Sequence, residues 1–165
     1  MYYGKIKTFD IANGEGVRVS LFVSGCRNRC PGCFQPETWN FEYGQEFTSE
    51  TMLELLRLLE DPNITGLSIL GGDPFESENS ETVYHICKKV KERFPEKSIW
   101  VWTGYSIEDV WEEQALKYID VLIDGKFEQD KKDLRLKWRG SSNQRVIDVR
   151  ETFKTGEVTL VEGCE

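Results

Sequence analysis

The chain has 165 residues, of which 39% are hydrophobic and 30% are charged, and its formal net charge is −8. This length and composition predict one globular domain with a hydrophobic core of its own. No apolar run approaches the length of a membrane span and the N-terminus lacks a secretory signal, so we expect a cytoplasmic protein without a membrane partner. Because nucleic-acid binding needs clustered Lys and Arg, the net negative charge also argues against a nucleic-acid partner.

In chain order, the sequence alternates between strand patterns and helix patterns. β-Branched and buried-type runs predict strands at residues 17–23, 66–70, 98–102 and 119–123, with two weaker candidates at 145–149 and 157–161. Apolar residues spaced three and four apart predict helices at residues 48–59, 79–94 and 106–118. Cys87 lies on the apolar stripe of the second helix and is expected to be a small buried residue, whereas His85 lies off that stripe and is expected at the surface.

This alternation predicts the α/β class, with right-handed crossovers and a mostly parallel sheet. A complete eight-stranded barrel takes about 250 residues, so we expect a partial, open β/α barrel of about five to six mostly parallel strands. An open doubly wound sheet is the alternative. A glycine-containing turn follows each of the first four predicted strands, at the carboxyl ends where ligands bind in parallel folds.

Three of the five cysteines, Cys26, Cys30 and Cys33, lie within eight residues of each other. Thiolates at this spacing usually share a metal centre, and three of them would leave one iron of a 4Fe–4S cluster open to a small chelating ligand. An open metal position is typical of catalytic sites. A zinc site that recruits a fourth ligand and a set of unligated thiols remain open at this point. The odd number of cysteines argues against a disulfide framework.

The cysteine motif and the turn Gly71-Gly72-Asp73-Pro74 together resemble the radical S-adenosylmethionine (SAM) superfamily. Further segments resemble the activases of the anaerobic ribonucleoside-triphosphate reductase within that superfamily: Asn13–Arg18, Phe22–Cys26, Cys30–Phe34, Trp102–Tyr105, Asp124–Phe127 and Trp138–Gln144. The resemblance predicts a radical SAM activase domain at residues 1–149 and a C-terminal extension at residues 150–165, which holds Cys164. Glu15 and Gly32 depart from the wider pattern, which often has proline and an aromatic residue at these positions.

The resemblance implies a mechanism and its partners. In that mechanism the three cysteines hold a 4Fe–4S cluster, SAM chelates the open iron, and a donor such as reduced flavodoxin supplies one electron. SAM is cleaved to methionine and a 5′-deoxyadenosyl radical, which abstracts a hydrogen from a glycine near the C-terminus of the large reductase subunit. We therefore expect an oxidoreductase that activates this reductase. An activase of another glycyl-radical enzyme, a small-molecule radical SAM enzyme and a zinc-binding interaction module are the alternatives.

The resemblance also implies the residues that contact SAM. The carbonyls of Gly71 and Gly72, with the carboxylate of Asp73, would bind the SAM ammonium group, and Gly32 and Phe34 would flank the adenine. Polar contacts to SAM or to the substrate loop are expected from residues that end the third and fourth predicted strands, namely Thr103, Tyr105, Asp124 and Lys126. Arg27 and Arg29 could tune the cluster through their charge, although solvent exposure is the simpler interpretation.

Overall fold

A single seven-stranded sheet organises the fold in the computed structural model, which describes residues 1–165. Its strands are β1 (Tyr2–Asp10), β2 (Arg18–Val23), β3 (Gln45–Glu46), β4 (Gly66–Gly71), β5 (Ser98–Trp102), β6 (Val121–Asp124) and β7 (Arg145–Asp148). Hydrogen-bonded neighbours follow the order β3-β1-β2-β4-β5-β6-β7. The helices are α1 (Ser49–Leu58), α2 (Ser80–Arg93) and α3 (Val149–Thr155).

The sheet is mixed. Strands β2, β4, β5 and β6 run parallel, whereas β1 and β3 on one side and β7 on the other are antiparallel to their neighbours. The predicted α/β class is confirmed. The sheet does not close, and it has seven strands where five to six were predicted. Three of its six pairings are antiparallel, because β1, β3 and β7 extend the parallel centre on its two sides.

Strand β1 lacks the regular alternation by which a strand is found in a sequence. Its pairing with β2 shifts register between Tyr3 and Lys5 and again between Lys7 and Asp10. Tyr3 is buried before the first shift, whereas after it the less exposed positions are the even-numbered ones up to Asp10, so the apolar residues of this strand do not keep a period of two. The sequence pattern therefore does not predict β1 as a strand.

Helices α1 and α2 cover one face of the sheet, where they bury the main hydrophobic core. Val83, Ile86, Cys87 and Val90 of α2 pack in that core with alternate strand residues such as Val101. The intervening residues of β5 face the other side, where Trp100 packs with Val146 and Cys164 in a smaller core. Neither α1 nor α2 covers this second face, which leaves space for a cleft there.

Two predicted elements are wrong. Residues 106–118 form turns and a short 3-10 helix at Gln114–Tyr118, because their backbone hydrogen bonds join mostly residues three apart, as in Glu113 N to Val110 O. Residues 157–161 form only an isolated bridge between Ile147 and Leu160. The segment after residue 149 nevertheless packs on the sheet through α3 and the buried Cys164. The division between residues 149 and 150 stays a prediction.

Arg18 is completely buried where β2 begins, and protein groups satisfy its guanidinium. Its Nε donates to Ser68 Oγ at 2.7 Å, Nη1 to Glu15 O and Ser98 Oγ, and Nη2 to Leu67 O and Ser98 O. Burial lowers its pKa to about 10. The side chain therefore ties together the amino-terminal ends of β2, β4 and β5, away from the strand ends that form the candidate site. Elsewhere in the chain, no helix has the length and apolar character needed to span a bilayer.

Candidate active site

The carboxyl ends of the four parallel strands open into one cleft with a volume of about 490 Å³. Each strand contributes residues from the turn that follows it: Cys26 after β2, Gly72 and Asp73 after β4, Thr103 after β5 and Gly125 after β6. The opposite wall is the segment from Asp133 to Gly140. Below, residues 26–33 are called the cysteine loop and residues 133–140 the strap. The structure thus brings the predicted strand-end turns together around a single concave site.

Three thiols of the cysteine loop line this cleft. Cys26, Cys30 and Cys33 are half-buried and unpaired in disulfides. Burial raises the pKa of Cys26 to about 11 and also raises the pKa of Cys30. The Sγ of Cys33 accepts a hydrogen bond from the backbone N–H of Gln35 at 3.5 Å. N–H donors of this kind stabilise cluster-bound sulfur.

Backbone contacts seat the start of the cysteine loop on neighbouring segments. Gly25 N donates to Thr38 O at 2.7 Å and Cys26 N to Trp39 O at 3.3 Å. The turn after β4 lies directly against it, since Asp73 N donates to Gly25 O at 2.8 Å. A Cβ at Gly72 would stand 2.6 Å from that same carbonyl, so only glycine permits this approach.

Gly71 and Gly72 both line the cleft. Gly71 has φ of +108°, a conformation that favours glycine. Gly72 N donates to Val23 O, which fixes the turn on β2, while its own carbonyl receives no hydrogen bond from the protein. The turn therefore presents at least one free backbone acceptor at the site.

Asp73 is buried, and both of its carboxylate oxygens bind protein donors. Oδ1 accepts from Phe75 N at 3.0 Å and Thr103 Oγ1 at 2.7 Å, and Oδ2 from Gly104 N at 2.8 Å and Asn28 Nδ2 at 2.9 Å. Burial raises its pKa to about 6, against the lowering effect of these hydrogen bonds. A carboxylate has about four acceptor positions, so the protein already uses those of Asp73. The side chain joins the cysteine loop to the end of β5.

Glu76 is a second buried carboxylate, and the sequence analysis missed it. Its Oε2 accepts from the backbone N and from Nη1 of Arg27, each at 3.0 Å, and its Oε1 accepts from the hydroxyl of Tyr105. Arg27 also pairs with the exposed Glu78 and lies over the ring of Phe41. Arg27 is therefore ion-paired while its side chain remains exposed, in line with the simpler interpretation of solvent exposure. The one available signal was an acidic residue two positions after the Gly-Gly-Asp-Pro turn.

Phe34 lines the cleft and remains 59% exposed. Its ring lies 5.0 Å from the ring of Phe127, and the ammonium group of Lys132 lies 5.2 Å from its centroid. The rings of Phe34 and Phe127 together give the cleft an apolar, aromatic wall next to the third cysteine. Gly32, the other residue predicted beside adenine, has φ of +75° and faces the side chain of Gln129 without lining the cleft.

Asp124 and Lys126 do not line the cleft. Asp124 is buried, accepting from Ile107 N at 2.8 Å and from Nε and Nη2 of Arg145 at 3.0 and 2.6 Å. It closes the β6–β7 pair instead of facing the cleft. Lys126 is exposed and lies close enough to the cysteine loop for its charge to act on Cys30. This charge partly offsets the effect of burial, which raises the pKa of Cys30. Arg29 lies over the Trp39 ring at 5.4 Å.

Arg139 of the strap is the only cationic side chain that lines the cleft. Its Nη1 donates to Gln144 O at 2.7 Å, whereas its Nε is buried without any hydrogen-bond partner. Gln144 supports the same turn, accepting from Gly140 N and donating to Gly125 O, both at 2.9 Å. In the sequence, Trp138–Gln144 contributes to the family resemblance, but no individual role is predicted for its residues.

Three thiols line the site, and no fourth protein ligand joins them. No three Cys, His, Asp or Glu side chains converge as a site for one metal ion. Cys87 and Cys164 are buried in the two cores, and His85 is exposed and paired with Glu81 on α2. No protein side chain therefore supplies a fourth ligand beside the three thiols, which is the arrangement that leaves one iron open.

Comparison with known proteins identifies the family. The family model described as "4Fe-4S single cluster domain" matches residues 12–147. Three similar curated proteins each carry the name anaerobic ribonucleoside-triphosphate reductase-activating protein. That of Enterobacteria phage T4 is 48% identical over 88% of this chain and 93% of its own length; that of Pasteurella multocida is 46% identical over 87% and 95%. That of Escherichia coli K12 is 42% identical over 91% and 100%. The chain therefore belongs to the family of anaerobic ribonucleoside-triphosphate reductase-activating proteins, which are activating enzymes with an iron–sulfur domain.

Proposed function

We propose that the chain is a radical SAM activase that generates a glycyl radical on the anaerobic ribonucleoside-triphosphate reductase. A reduced 4Fe–4S cluster with bound SAM supplies one-electron cleavage of SAM to methionine and a 5′-deoxyadenosyl radical, which takes a hydrogen atom from a glycine Cα of the reductase. The electron comes from a one-electron donor of the reduced flavodoxin type. Protein residues supply positioning and exclusion of water.

The observation that carries this proposal is that three free thiols and the Gly71–Asp73 turn line one cleft. Cys26, Cys30 and Cys33 would hold three irons, and the fourth would face the cleft. The carbonyl of Gly72, which no protein group uses, is suited to accept from the ammonium of SAM. Asp73 supports this turn, because its carboxylate holds Asn28 and the end of β5 in place.

Arg139 gives the cleft a partner for the carboxylate of SAM. Its Nε lacks a hydrogen bond, and the guanidinium edge formed by Nε and Nη2 is the one that binds carboxylates side-on. Arg145 uses the same edge to hold Asp124 in this protein. A carboxylate on Arg139 would satisfy an otherwise orphaned donor and neutralise the one cation of the cleft.

Replacing this cation should weaken SAM binding. We expect Arg139→Ala to raise the dissociation constant of SAM about tenfold or more, because a charge-assisted hydrogen bond contributes about 1.5–3 kcal/mol. Equilibrium binding to the iron-loaded chain measures the effect. Arg135→Ala is the matched control, since Arg135 lies on the same strap, is largely exposed and pairs with Asp133. Equal dissociation constants for SAM in the two variants would show that Arg139 does not bind SAM.

The activase function is tested by anaerobic incubation of the iron-loaded chain with SAM, a one-electron reductant and the reductase. We expect an electron paramagnetic resonance (EPR) doublet from a glycyl radical on the reductase, with one 5′-deoxyadenosine formed for each radical. Cleavage of SAM without this doublet would instead assign the chain to another glycyl-radical enzyme or to a small-molecule substrate. A zinc-loaded chain without SAM cleavage would indicate an interaction module.

A further inference from the structure

We propose that Glu76 is a positioning residue that fastens the first half of the cysteine loop to the turn after β4 and places a negative charge beside Cys26. The proposal deepens the proposed function, on which it rests, because it concerns the loop that would hold the cluster. It follows from contacts that the chain makes without any cluster.

The part of the cysteine loop between Cys26 and Cys30 has little structure of its own. No backbone hydrogen bond joins residues within it; the loop's internal backbone bond runs from Cys33 N to Cys30 O. Arg29 has a positive φ of 45°, and no helix or strand includes these residues. Groups outside the loop must therefore fix its path.

Side chains from the turn after β4 supply those contacts. Glu76 Oε2 accepts from the backbone N–H of Arg27, the residue next to the first cysteine, at 3.0 Å. Asp73 holds the following residue through Asn28 Nδ2 at 2.9 Å. Two successive residues after Cys26 are thus bound by two buried carboxylates that lie three residues apart.

Glu76 is itself held firmly. It is only 1% exposed, and its other oxygen accepts from the hydroxyl of Tyr105, in the turn after β5. The carboxylate therefore connects three segments: the cysteine loop, the turn after β4 and the turn after β5. Tyr105, which the resemblance singled out without a defined contact, acts through Glu76 in this arrangement.

The charge of Glu76 also reaches the first thiol. The Oε2 of Glu76 lies 3.0 Å from the backbone N of Arg27, the residue that directly follows Cys26, so the carboxylate lies beside the first ligand. Negative charge near an iron–sulfur cluster disfavours its reduction. Removing the Glu76 charge while preserving the shape of the side chain should therefore move the midpoint potential of the cluster to a more positive value.

Glu78 offers a matched control because it contacts Arg27 in a different way. It binds only the guanidinium, at 2.5 Å from Nη2 and 3.1 Å from Nη1, and it is exposed. Glu78→Gln thus removes one negative charge and an ion pair of Arg27 but leaves the backbone bond to Glu76. A role confined to pairing Arg27 would affect both variants alike.

Amide hydrogen exchange of the cluster-free chain tests the fastening. We expect the Arg27 amide to exchange about tenfold faster in Glu76→Ala than in wild type, because it loses its hydrogen-bond acceptor. Glu78→Gln should match wild type. If Glu76→Ala does not fold, Glu76→Met serves in its place, since it keeps the length of the side chain but removes both oxygens that accept from Arg27 and Tyr105. An Arg27 amide that exchanges alike in the Glu76 and Glu78 variants would overturn the proposal.

The iron-loaded chain tests the consequence for the cluster. A chelator should remove iron about tenfold faster from Glu76→Ala than from Glu78→Gln, a size typical for residues that orient metal ligands. Redox titration of Glu76→Gln should give a more positive midpoint potential than wild type, and an unchanged potential overturns the electrostatic part. If wild type takes up no iron, the proposed function fails, whereas the exchange result on the cluster-free chain still decides the fastening.

Discussion

Cys30→Ala is expected to abolish both the cluster and SAM cleavage while leaving the fold intact. With two thiolates left in the cysteine loop, too few ligands remain for a 4Fe–4S cluster, which normally takes four cysteines. The Cys30 side chain is half-buried at the cleft and belongs to neither hydrophobic core, so its loss should cost little stability. Anaerobic iron analysis, the visible absorption spectrum and chromatographic detection of 5′-deoxyadenosine measure the outcome.

Cys164→Ala provides the control for Cys30→Ala. Cys164 is buried in the smaller core with Trp100 and Val146. It does not line the cleft and is not one of the three proposed ligands. We expect this variant to keep the iron content and SAM cleavage of wild type, with only a modest fall in thermal stability. A Cys30→Ala chain that retained its full iron content, or a Cys164→Ala chain that lost it, would show that the ligands are assigned wrongly.

Asp73→Asn should destabilise the chain more than any other conservative change at the site. Two donors meet each oxygen of this carboxylate, so an amide NH₂ in place of one oxygen would face two donors. The Thr103 hydroxyl can turn and accept from this NH₂, but Phe75 N is then left unpaired, which lowers the free energy of unfolding by about 1–3 kcal/mol. Denaturant unfolding of the cluster-free chain at pH 7.5 measures this loss. Asp109→Asn, at an exposed carboxylate that bonds only Ser106, should change stability by less than about 0.5 kcal/mol.

The pH dependence of the same comparison has a definite sign. Burial raises the pKa of Asp73 to about 6, above the ordinary value of 3.8 for an aspartate, so between these values the folded chain binds a proton that the unfolded chain releases. The stability that Asp73 contributes is therefore greatest below pH 4 and falls as pH rises to about 6, after which it stays constant. The stability difference between wild type and Asp73→Asn should fall over this interval. A difference that rises with pH would mean that hydrogen bonding outweighs burial.

Local patterns were sufficient to predict the parallel centre of the sheet. The alternation of Ile99 and Val101 with Trp100 marks β5, whose predicted and observed bounds agree at residues 98–102. Cys87 is buried on the stripe of α2 and His85 is exposed, as the helical spacing indicates. These features depend on neighbours in the sequence, so the sequence reveals them directly.

Features that depend on distant partners could not be predicted in this way. Asp124 has the residue type and strand-end position of a ligand contact, yet Arg145, 21 residues later, occupies its carboxylate. Glu76 gains its role only when Arg27 and Tyr105 meet it in space. The antiparallel edge escaped prediction because the register shifts in β1 erase its alternation.

The same distinction applies to the site residues. The spacing of the three cysteines and the Gly-Gly-Asp-Pro turn indicate which segments meet, and the structure brings eight of the predicted residues to the cleft: Cys26, Cys30, Cys33, Phe34, Gly71, Gly72, Asp73 and Thr103. What each side chain bonds is set by tertiary contacts. Asp73, predicted as an acceptor for SAM, binds four protein donors, and Arg139, which had no predicted role, carries the unpartnered donor.

In the proposed function, three thiols hold a redox-active cluster with one iron open to SAM. The EPR spectrum of the reduced, iron-loaded chain, recorded with and without SAM, tests it most directly. We predict the signal of a reduced 4Fe–4S cluster at about four irons per chain, and a change in that signal when SAM is added. A colourless chain with stoichiometric zinc, or a cluster signal that SAM leaves unchanged, would contradict the account.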